Sequence, residues 1–290
     1  MSGSSRAADH AQPAQPPLIL ITNDDGITSP GLEAAVRAAW GLGEIVVAAP
    51  DQQWSGAGRC MSFSQDGRIR RYSLCVDGQP VTAYQVGASP ALVVLHAVLE
   101  LVERQPALLI AGINYGENVG QDITGSGTVG AALQGAACGI PSLACSLQTP
   151  KEMHRAHGEG VDFSAAAHFT RLFARALLCH TLPGDAAVLK LDVPATATPD
   201  TPWRVTRVSR CPYYVNLPRP RAAALPRELP PEGIAVGLEY TYPANPEATE
   251  PDSDIYALCV ERLVSVTPLS LDLTARVDLR GLEALLRAGA

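Results

Sequence analysis

Short apolar runs alternate with longer segments of helical periodicity along the chain, beginning at residue 17. The runs Leu18–Thr22, Glu44–Pro50 and Pro106–Gly112 are largely apolar without alternation, which is typical of strands buried on both faces of a parallel sheet. Strands that alternate with helices indicate βαβ units. The pattern therefore predicts an α/β fold around a mostly parallel sheet.

The same pattern predicts four helices and several further strands between residues 30 and 194. Pro30 suits the first turn of a helix, where a backbone N–H would have no partner within the helix. The predicted helices are Pro30–Trp40, Pro90–Glu103, Val129–Cys138 and Phe163–Leu178. The further predicted strands are Ile69–Val76, Thr82–Val86, Ser142–Leu147 and Val188–Pro194.

The last third of the chain changes in character. Thr196–Glu250 is rich in proline and arginine and contains short β-like pieces, which predicts hairpins and long loops. A strand and a short helix ending near Arg287 follow it. We predict a flexible tail over 1–16 and a single domain over 17–290. Within that domain we expect residues 196–250 to form an arm used for oligomerisation, with solvated loops as the alternative.

The composition limits what the chain can bind. Apolar residues make up 47% of the 290 residues, which is enough for a sizeable core. Charged residues make up only 18%, the formal net charge is -7, and Lys151 and Lys190 are the only lysines. We therefore expect no bulk attraction to nucleic acid, and a P-loop lysine has almost no candidate.

One long uncharged stretch raises the question of a membrane span. Ile123–Pro150 carries no charged side chain, but five glycines and Pro141 interrupt it, so an apolar transmembrane helix is not expected. The N-terminal residues lack the apolar segment of a secretory signal. The seven cysteines form no C-x-x-C pair, which indicates reduced thiols and no zinc pattern. We expect a cytoplasmic protein without a membrane partner.

Three polar clusters directly follow predicted strands. They are Thr22–Gly26, Asp51–Gly58 and Gly112–Gly130. Ligands of open α/β sheets bind outside the carboxyl ends of the strands, so these clusters are expected to meet at one edge of the sheet.

Four side chains from these clusters form a candidate cation site. Asp24 and Asp25 converge on one ion if they lie at a turn, and Ser55 and Asn114 complete a set of oxygen donors. Carboxylate, hydroxyl and amide oxygens suit Mg²⁺, Mn²⁺ or Ca²⁺ better than zinc. The alternative is structural, with the aspartates forming an Asx turn before Gly26.

A glycine-rich segment before a small-residue helix is a candidate anion site. Gly125–Thr128 is followed by the predicted helix Val129–Cys138, whose first N–H groups and dipole would bind phosphate without a cationic side chain. The alternative is a simple helix cap, with Ser126 or Thr128 as the N-cap.

Other signatures of catalysis are missing from the sequence. It contains no G-x-S-x-G elbow, and no P-loop or G-x-G-x-x-G motif at a suitable strand end. His154 and His157 are three residues apart but lie in a polar segment that indicates a solvated loop. Adjacent rather than alternating aspartates argue against a phosphatase of the haloacid dehalogenase type.

Four blocks of sequence together resemble the SurE family of metal-dependent nucleotidases. They cover nearly the whole chain after the tail, and in combination they are highly specific. The blocks are ILITNDDGITSPGLEAA (Ile19–Ala35), VVAAPDQQWSGAG (Val46–Gly58), LIAGINYGENVGQDITGSGTVGAALQGAACGIPSLACSL (Leu109–Leu147) and LVSVTPLSLDLT (Leu263–Thr274).

The resemblance implies a Rossmann-like three-layer core with a C-terminal β-hairpin extension, assembled as a homodimer or homotetramer. It also implies hydrolysis of nucleoside 5′- and 3′-monophosphates with one Mn²⁺ or Mg²⁺ per subunit. The family's metal ligands correspond to Asp24, Asp25, Ser55 and Asn114, the first two being the catalytic candidates. Its phosphate-binding residues correspond to Ser126, Gly127 and Thr128, with Gly56 and Asn23 nearby.

Two positions depart from the family pattern. Gly125 stands where an aromatic residue usually precedes S-G-T, and Leu92 replaces an acidic residue. Both concern the substrate pocket, and neither removes a metal ligand. The sequence leaves open whether Asp24 or Asp25 acts as a general base or as a covalent nucleophile. A non-catalytic nucleotide or phosphate sensor on the same fold is the alternative function.

Overall fold

A nine-stranded sheet forms the centre of the protein in the computed structural model, which describes residues 15–154, 160–218, 231, 234, 238–242 and 245–289. The strands, in chain order, are β1 (Leu18–Thr22), β2 (Glu44–Pro50), β3 (Ile69–Val76), β4 (Gln79–Val86), β5 (Leu108–Tyr115), β6 (Ser142–Leu147), β7 (Ala186–Val193), β8 (Trp203–Val205), β9 (Val215–Pro218), β10 (Leu238–Thr241) and β11 (Val264–Ser270). The α-helices are α1 (Pro30–Ala39), α2 (Pro90–His96), α3 (Gly127–Ala137), α4 (Ser164–Cys179), α5 (Asp254–Cys259) and α6 (Leu279–Ala288).

The strand order in the sheet is β3-β4-β2-β1-β5-β6-β7-β11-β8. The central strands run parallel, whereas β3 is antiparallel to β4 and β11 is antiparallel to β7. The strands β9 and β10 pair with each other as a separate antiparallel hairpin. The prediction of a mostly parallel α/β fold with a C-terminal hairpin is confirmed.

Helices cover both faces of the sheet and produce two cores. The first core contains Ile19 and Ile21 of β1 with residues of α1 and α4, and the second contains Leu18 and Leu20 with residues of α2 and α3. Since successive side chains of a strand point to opposite faces, both sets are buried. This explains why β1 is an uninterrupted apolar run.

The predicted elements between residues 18 and 194 are present; β1, β2, β3 and β6 have the predicted bounds, and the others have shifted ends. The predicted helix from Pro90 to Glu103 is an α-helix only to His96 and continues as a π-helical turn over Ala97–Leu101. The strand β5 continues to Tyr115, three residues beyond the predicted end. Part of the predicted tail, residues 1–14, and most of 219–237 in the predicted arm lie outside the described residues.

The uncharged stretch from Ile123 is divided between α3 and β6, and both are interior elements of the fold. Within the described parts of the chain, no helix combines the length and the apolar character that crossing a bilayer requires.

Candidate active site

A cavity of about 260 Å³ lies beyond the carboxyl ends of β1 and β5. All three polar clusters of the sequence contribute to its wall, as their positions after strands predicted. The residues proposed from the sequence that line it are Asp24, Ser55, Gly56, Asn114 and Ser126.

Asp24 follows β1 and is only 5% exposed. Its Oδ1 accepts a hydrogen bond from the hydroxyl of Thr128 in α3, and its backbone oxygen accepts one from the N–H of Trp54 at 2.7 Å. Burial and the neighbouring charge of Asp25 raise the pKa of Asp24 to about 7, although the Thr128 hydrogen bond opposes the shift. The negative charge of Asp24 is therefore poorly stabilised by the protein alone.

Asp25 is 3% exposed and is held between the loop after β2 and the end of β5. Its Oδ1 accepts a hydrogen bond from Nε2 of Gln53 at 3.0 Å, and its Oδ2 accepts one from the backbone N–H of Tyr115 at 3.3 Å. Gln53 lies after β2 and Tyr115 ends β5, so the two strands that flank β1 fix the orientation of this carboxylate.

Asn114 reaches the cavity through an irregularity in the sheet. The register between β5 and β6 shifts between Ala111 and Asn114. Gly112 in this bulge has a φ of +131°, and a Cβ there would lie 2.3 Å from the carbonyl oxygen of Cys145, so only glycine fits. The Asn114 amide nitrogen donates to the carbonyl oxygen of Gly116 at 2.7 Å, which leaves its amide oxygen for another partner.

These donors fit a hard divalent cation. Asp24 forms no ion pair with any residue that the structure describes. Its raised pKa shows that burial beside Asp25 destabilises the ionised carboxylate. Across the described ranges, no three His, Cys, Asp or Glu side chains cluster closely enough to hold a metal. Two carboxylates would need the Ser55 hydroxyl and the Asn114 amide oxygen to complete a site, which suits Mg²⁺ or Mn²⁺ and not zinc.

The N-terminus of α3 approaches Asp24 closely. A Cβ at Gly127 would lie 2.7 Å from Oδ2 of Asp24, so glycine permits this approach. Ser126 is the N-cap of α3, and its Oγ accepts a hydrogen bond from the N–H of Val129 at 3.1 Å, as the capping alternative expects. Thr128 is fully buried and contacts Asp24. The helix N-terminus thus lies beside the acidic pair.

Asn23 is engaged elsewhere. Its Nδ2 donates to the carbonyl oxygen of Gly26 at 3.0 Å, and its Oδ1 accepts from the N–H of Gly26 at 3.2 Å. The side chain therefore closes the turn that orients the two aspartates. A role of Asn23 in phosphate binding stays a prediction.

Sequence reasoning did not single out several residues of the cavity wall. These are Glu117, Asp122, His154, Tyr214, Asn216 and Tyr240. His154 is partly buried and lies in the cavity wall, so the expectation of a solvated loop is wrong for it, whereas His157 is outside the described residues. One signal was available, because four of the eight tyrosines occur between positions 213 and 242.

A buried ion cluster anchors the loop that joins β5 to α3. Lys190 and Asp192 of β7 form an ion pair, and Nζ of Lys190 lies 3.2 Å from Oδ2 of Asp254. Asp192 accepts a hydrogen bond from the N–H of Asn118 at 2.7 Å, and Asp254 accepts one from the N–H of Gly120 at 3.1 Å. The backbone of the active-site loop is therefore attached to buried charges beneath it.

Glu117 in the same loop is a second carboxyl group with a perturbed pKa. It is 2% exposed, and its Oε1 accepts a hydrogen bond from the hydroxyl of Tyr213 at 2.5 Å. Burial raises the pKa of Glu117 to about 7, and the Tyr213 hydrogen bond opposes the shift. Its Oε2 is buried and has no hydrogen-bond partner in the described part of the chain.

This pKa predicts how stability depends on pH. Between pH 4.5 and about 7 the folded protein holds a proton on Glu117 that the unfolded chain releases, so the free energy of unfolding falls as pH rises through this window. We expect Glu117→Gln to weaken that dependence and to raise the free energy of unfolding at pH 8 by on the order of 3 kcal/mol. Urea denaturation at pH 5 and pH 8 measures both effects.

The matched control is Glu103→Gln, because Glu103 is exposed. This variant should follow the wild type at both pH values. Equal stability differences between pH 5 and pH 8 in wild type and Glu117→Gln would contradict the assignment of a raised pKa to Glu117.

The sequence of this chain is similar to that of a known protein family. The sequence profile of the family described as "Survival protein SurE" matches residues 19–214. A protein named 5′-nucleotidase SurE from Thermococcus gammatolerans is 41% identical over 268 residues, covering 92% of this chain and 95% of the relative. The protein of the same name from Thermococcus kodakarensis is 40% identical over 273 residues, covering 93% and 98%.

A solved structure agrees with the sequence comparison. The crystal structure of the SurE protein from Aquifex aeolicus superposes with a TM-score of 0.70 at 30% sequence identity. The match covers 93% of this chain and all of that chain.

Proposed function

The chain belongs to the SurE family of survival proteins, and from this premise we infer that it is a 5′-nucleotidase, an enzyme that hydrolyses phosphate monoesters of nucleosides. We include nucleoside 3′-monophosphates among its substrates. The observation that carries the proposal is the position of the buried Asp24, which lines the cavity beside the N-terminus of α3 and is followed directly by the buried Asp25.

The proposed cofactor is one divalent cation per subunit, Mn²⁺ or Mg²⁺, held by Asp24, Asp25, Ser55 and Asn114. When bound, such a cation neutralises charge on the phosphoryl group and makes water more acidic. The protein's own contribution is orientation. Gln53 and the Tyr115 backbone fix the Asp25 carboxylate, and Thr128 fixes that of Asp24.

The start of α3 is the proposed phosphate subsite. Ser126, Gly127 and Thr128 lie at a helix N-terminus, where unpaired N–H groups and the helix dipole favour an anion. Gly56, on the cavity wall, lets the chain approach the ligand closely. This arrangement explains how a protein with two lysines and a net charge of -7 can bind a phosphate group.

We also propose a homodimer or homotetramer. The helix α6 leaves an apolar stripe of Leu279, Leu282, Leu285 and Leu286 exposed, and a second copy of the chain would cover it. All seven cysteines are free thiols, which supports a reducing compartment such as the cytoplasm.

The test is phosphate release from a panel of nucleoside 5′- and 3′-monophosphates with Mn²⁺, Mg²⁺ or a chelator. We expect turnover of the 5′-monophosphates with a cation and its loss with the chelator. Binding of nucleotide without turnover under all conditions would favour a sensor and overturn the proposal.

A further inference from the structure

Aromatic side chains line part of the cavity wall. His154 follows the short 3₁₀ turn Lys151–Met153, Tyr214 precedes β9, and Tyr240 lies in β10. Asn216 in β9 lines the same side. The chemistry proposed above uses none of these four side chains.

Two of the rings form one flat surface. The ring planes of His154 and Tyr240 differ by 15°, with centroids 6.1 Å apart. Nε2 of His154 lies 3.2 Å from the carbonyl oxygen of Thr149, which can only accept, so Nε2 carries the proton and Nδ1 accepts from the Tyr240 hydroxyl at 2.8 Å. Because this hydrogen bond joins the edges of nearly parallel rings, the pair presents an extended face.

Tyr214 forms a wall beside that surface. Its ring is inclined at 74° to that of Tyr240, with centroids 5.1 Å apart, and at 85° to that of His154, with centroids 6.2 Å apart. The three rings therefore make a corner with one broad face and one side. We call His154, Tyr214 and Tyr240 the aromatic corner.

Hydrogen bonds hold the aromatic corner in a fixed relation to the phosphate side of the cavity. The N–H of Tyr214 donates to Oδ2 of Asp122 at 2.8 Å, and Asp122 lies just before Gly125–Thr128. Gln53 bridges the two sides, because its Nε2 donates to Oδ1 of Asp25 at 3.0 Å and to the carbonyl oxygen of His154 at 2.7 Å. The corner is thus already in place before a ligand binds.

We propose that the aromatic corner is the nucleobase subsite of this enzyme, with Asn216 as a hydrogen-bonding group for the edge of the base or for the ribose. The proposal rests on the proposed nucleotidase function and deepens it. Flat π faces favour a neutral aromatic ring, and stacking tolerates every base because every base has a π face. A nucleotide seated with its phosphate beside α3 would place its base against this corner.

The subsite predicts how the enzyme distinguishes nucleotides from phosphate esters without a base. The quantity to measure is kcat/KM for adenosine 5′-monophosphate divided by kcat/KM for ribose 5-phosphate. We expect Tyr240→Leu to lower this ratio about tenfold, because leucine keeps apolar bulk but has no π face. Tyr240→Phe keeps the ring and should keep most of the ratio.

Two further variants make the result decisive. Tyr72→Leu is the matched control, since Tyr72 lies in β3 and packs against the hydrophobic core, and its ratio should equal that of the wild type. His154→Leu alters the same flat surface from another segment of the chain, so it should lower the kcat/KM ratio as Tyr240→Leu does. If Tyr240→Leu does not fold, His154→Leu takes its place in the test. An equal loss of kcat/KM for adenosine 5′-monophosphate and ribose 5-phosphate, or no loss for either, would overturn the subsite.

Calorimetric binding of adenosine, which has no phosphate, separates this proposal from the nucleotidase function. We expect measurable binding to the wild type and at least a severalfold weaker affinity in Tyr240→Leu and His154→Leu. If no phosphate ester is hydrolysed but adenosine binding weakens in this way, the nucleotidase function fails and the subsite stands. If the wild type hydrolyses nucleotides and both variants bind adenosine as it does, the subsite alone fails.

Discussion

Replacing Asp24 by asparagine is expected to lower the turnover of a nucleoside 5′-monophosphate by about 10³-fold or more, because cation-supported stabilisation of the transition state contributes several kcal/mol. Asparagine has the shape of aspartate and still accepts the hydrogen bond from Thr128, so the fold should be retained. Phosphate release with saturating Mn²⁺ measures the loss. Asp185→Asn, which changes an exposed aspartate, should match the wild type.

Asp24→Asn should increase the stability of the metal-free protein although it lowers activity. The raised pKa of Asp24 means that its ionisation destabilises the metal-free fold progressively as pH rises from 3.8 to about 7. Asp24→Asn removes this cost, so the metal-free variant should be more stable than the wild type at pH 8, by roughly 1–4 kcal/mol. Turnover of Asp24→Asn within tenfold of the wild type would contradict a catalytic role of Asp24. An unfolded variant would contradict the claim that its buried charge destabilises the metal-free fold.

Replacing Lys190 by methionine is expected to destabilise the protein by about 3–5 kcal/mol, because it removes one partner of a buried ion cluster. Lys190, Asp192 and Asp254 are all fully buried. Burial alone would lower the pKa of Lys190, but the charges of the two aspartates raise it above its ordinary value. Methionine would fill the space and leave two buried carboxylates without their cation.

Lys151→Met is the matched control, since Lys151 is the only other lysine and is exposed. Urea denaturation of both variants should show a large loss for Lys190→Met and almost none for Lys151→Met. Comparable stabilities would mean that the cluster does not hold the loop at Asn118 and Gly120 as described.

Most of the sheet could be predicted because burial on both faces produces a simple pattern. In β1 and β6 every residue is buried, and the predicted bounds agree with the structure. The prediction stopped β5 at Gly112, because that glycine resembles the end of a strand. The chain instead bulges there and continues to Tyr115, since Gly112 has no Cβ and can pass close to the backbone of Cys145.

The acidic side of the candidate site could also be anticipated. Asp24 and Ser55 follow parallel strands and Asn114 lies near the end of β5, and the carboxyl ends of such strands lie together whatever the details of packing. The aromatic corner could not be found in this way. His154 and Tyr240 are 86 residues apart, and no periodicity or strand order brings them together. Their meeting depends on the hydrogen bond that joins Tyr240 of β10 to His154 after the turn Lys151–Met153.

Asn23 and Thr128 show a second limit of motif reading. Both occur in motifs that the sequence connects with phosphate, yet the Asn23 side chain closes a turn with Gly26 and the Thr128 hydroxyl is bonded to Asp24. A motif indicates that a residue is needed near a site. Only the hydrogen-bond partners show whether its side chain is free to meet a ligand.

The most direct test of the central claim is phosphate release from adenosine 5′-monophosphate by protein first stripped with a chelator and then titrated with Mn²⁺. If Asp24, Asp25, Ser55 and Asn114 hold a catalytic cation, the stripped wild type is inactive, its activity returns in a saturable manner, and Asp24→Asn stays inactive at every Mn²⁺ concentration. Full activity of the stripped wild type, or equal recovery by Asp24→Asn, would contradict the claim.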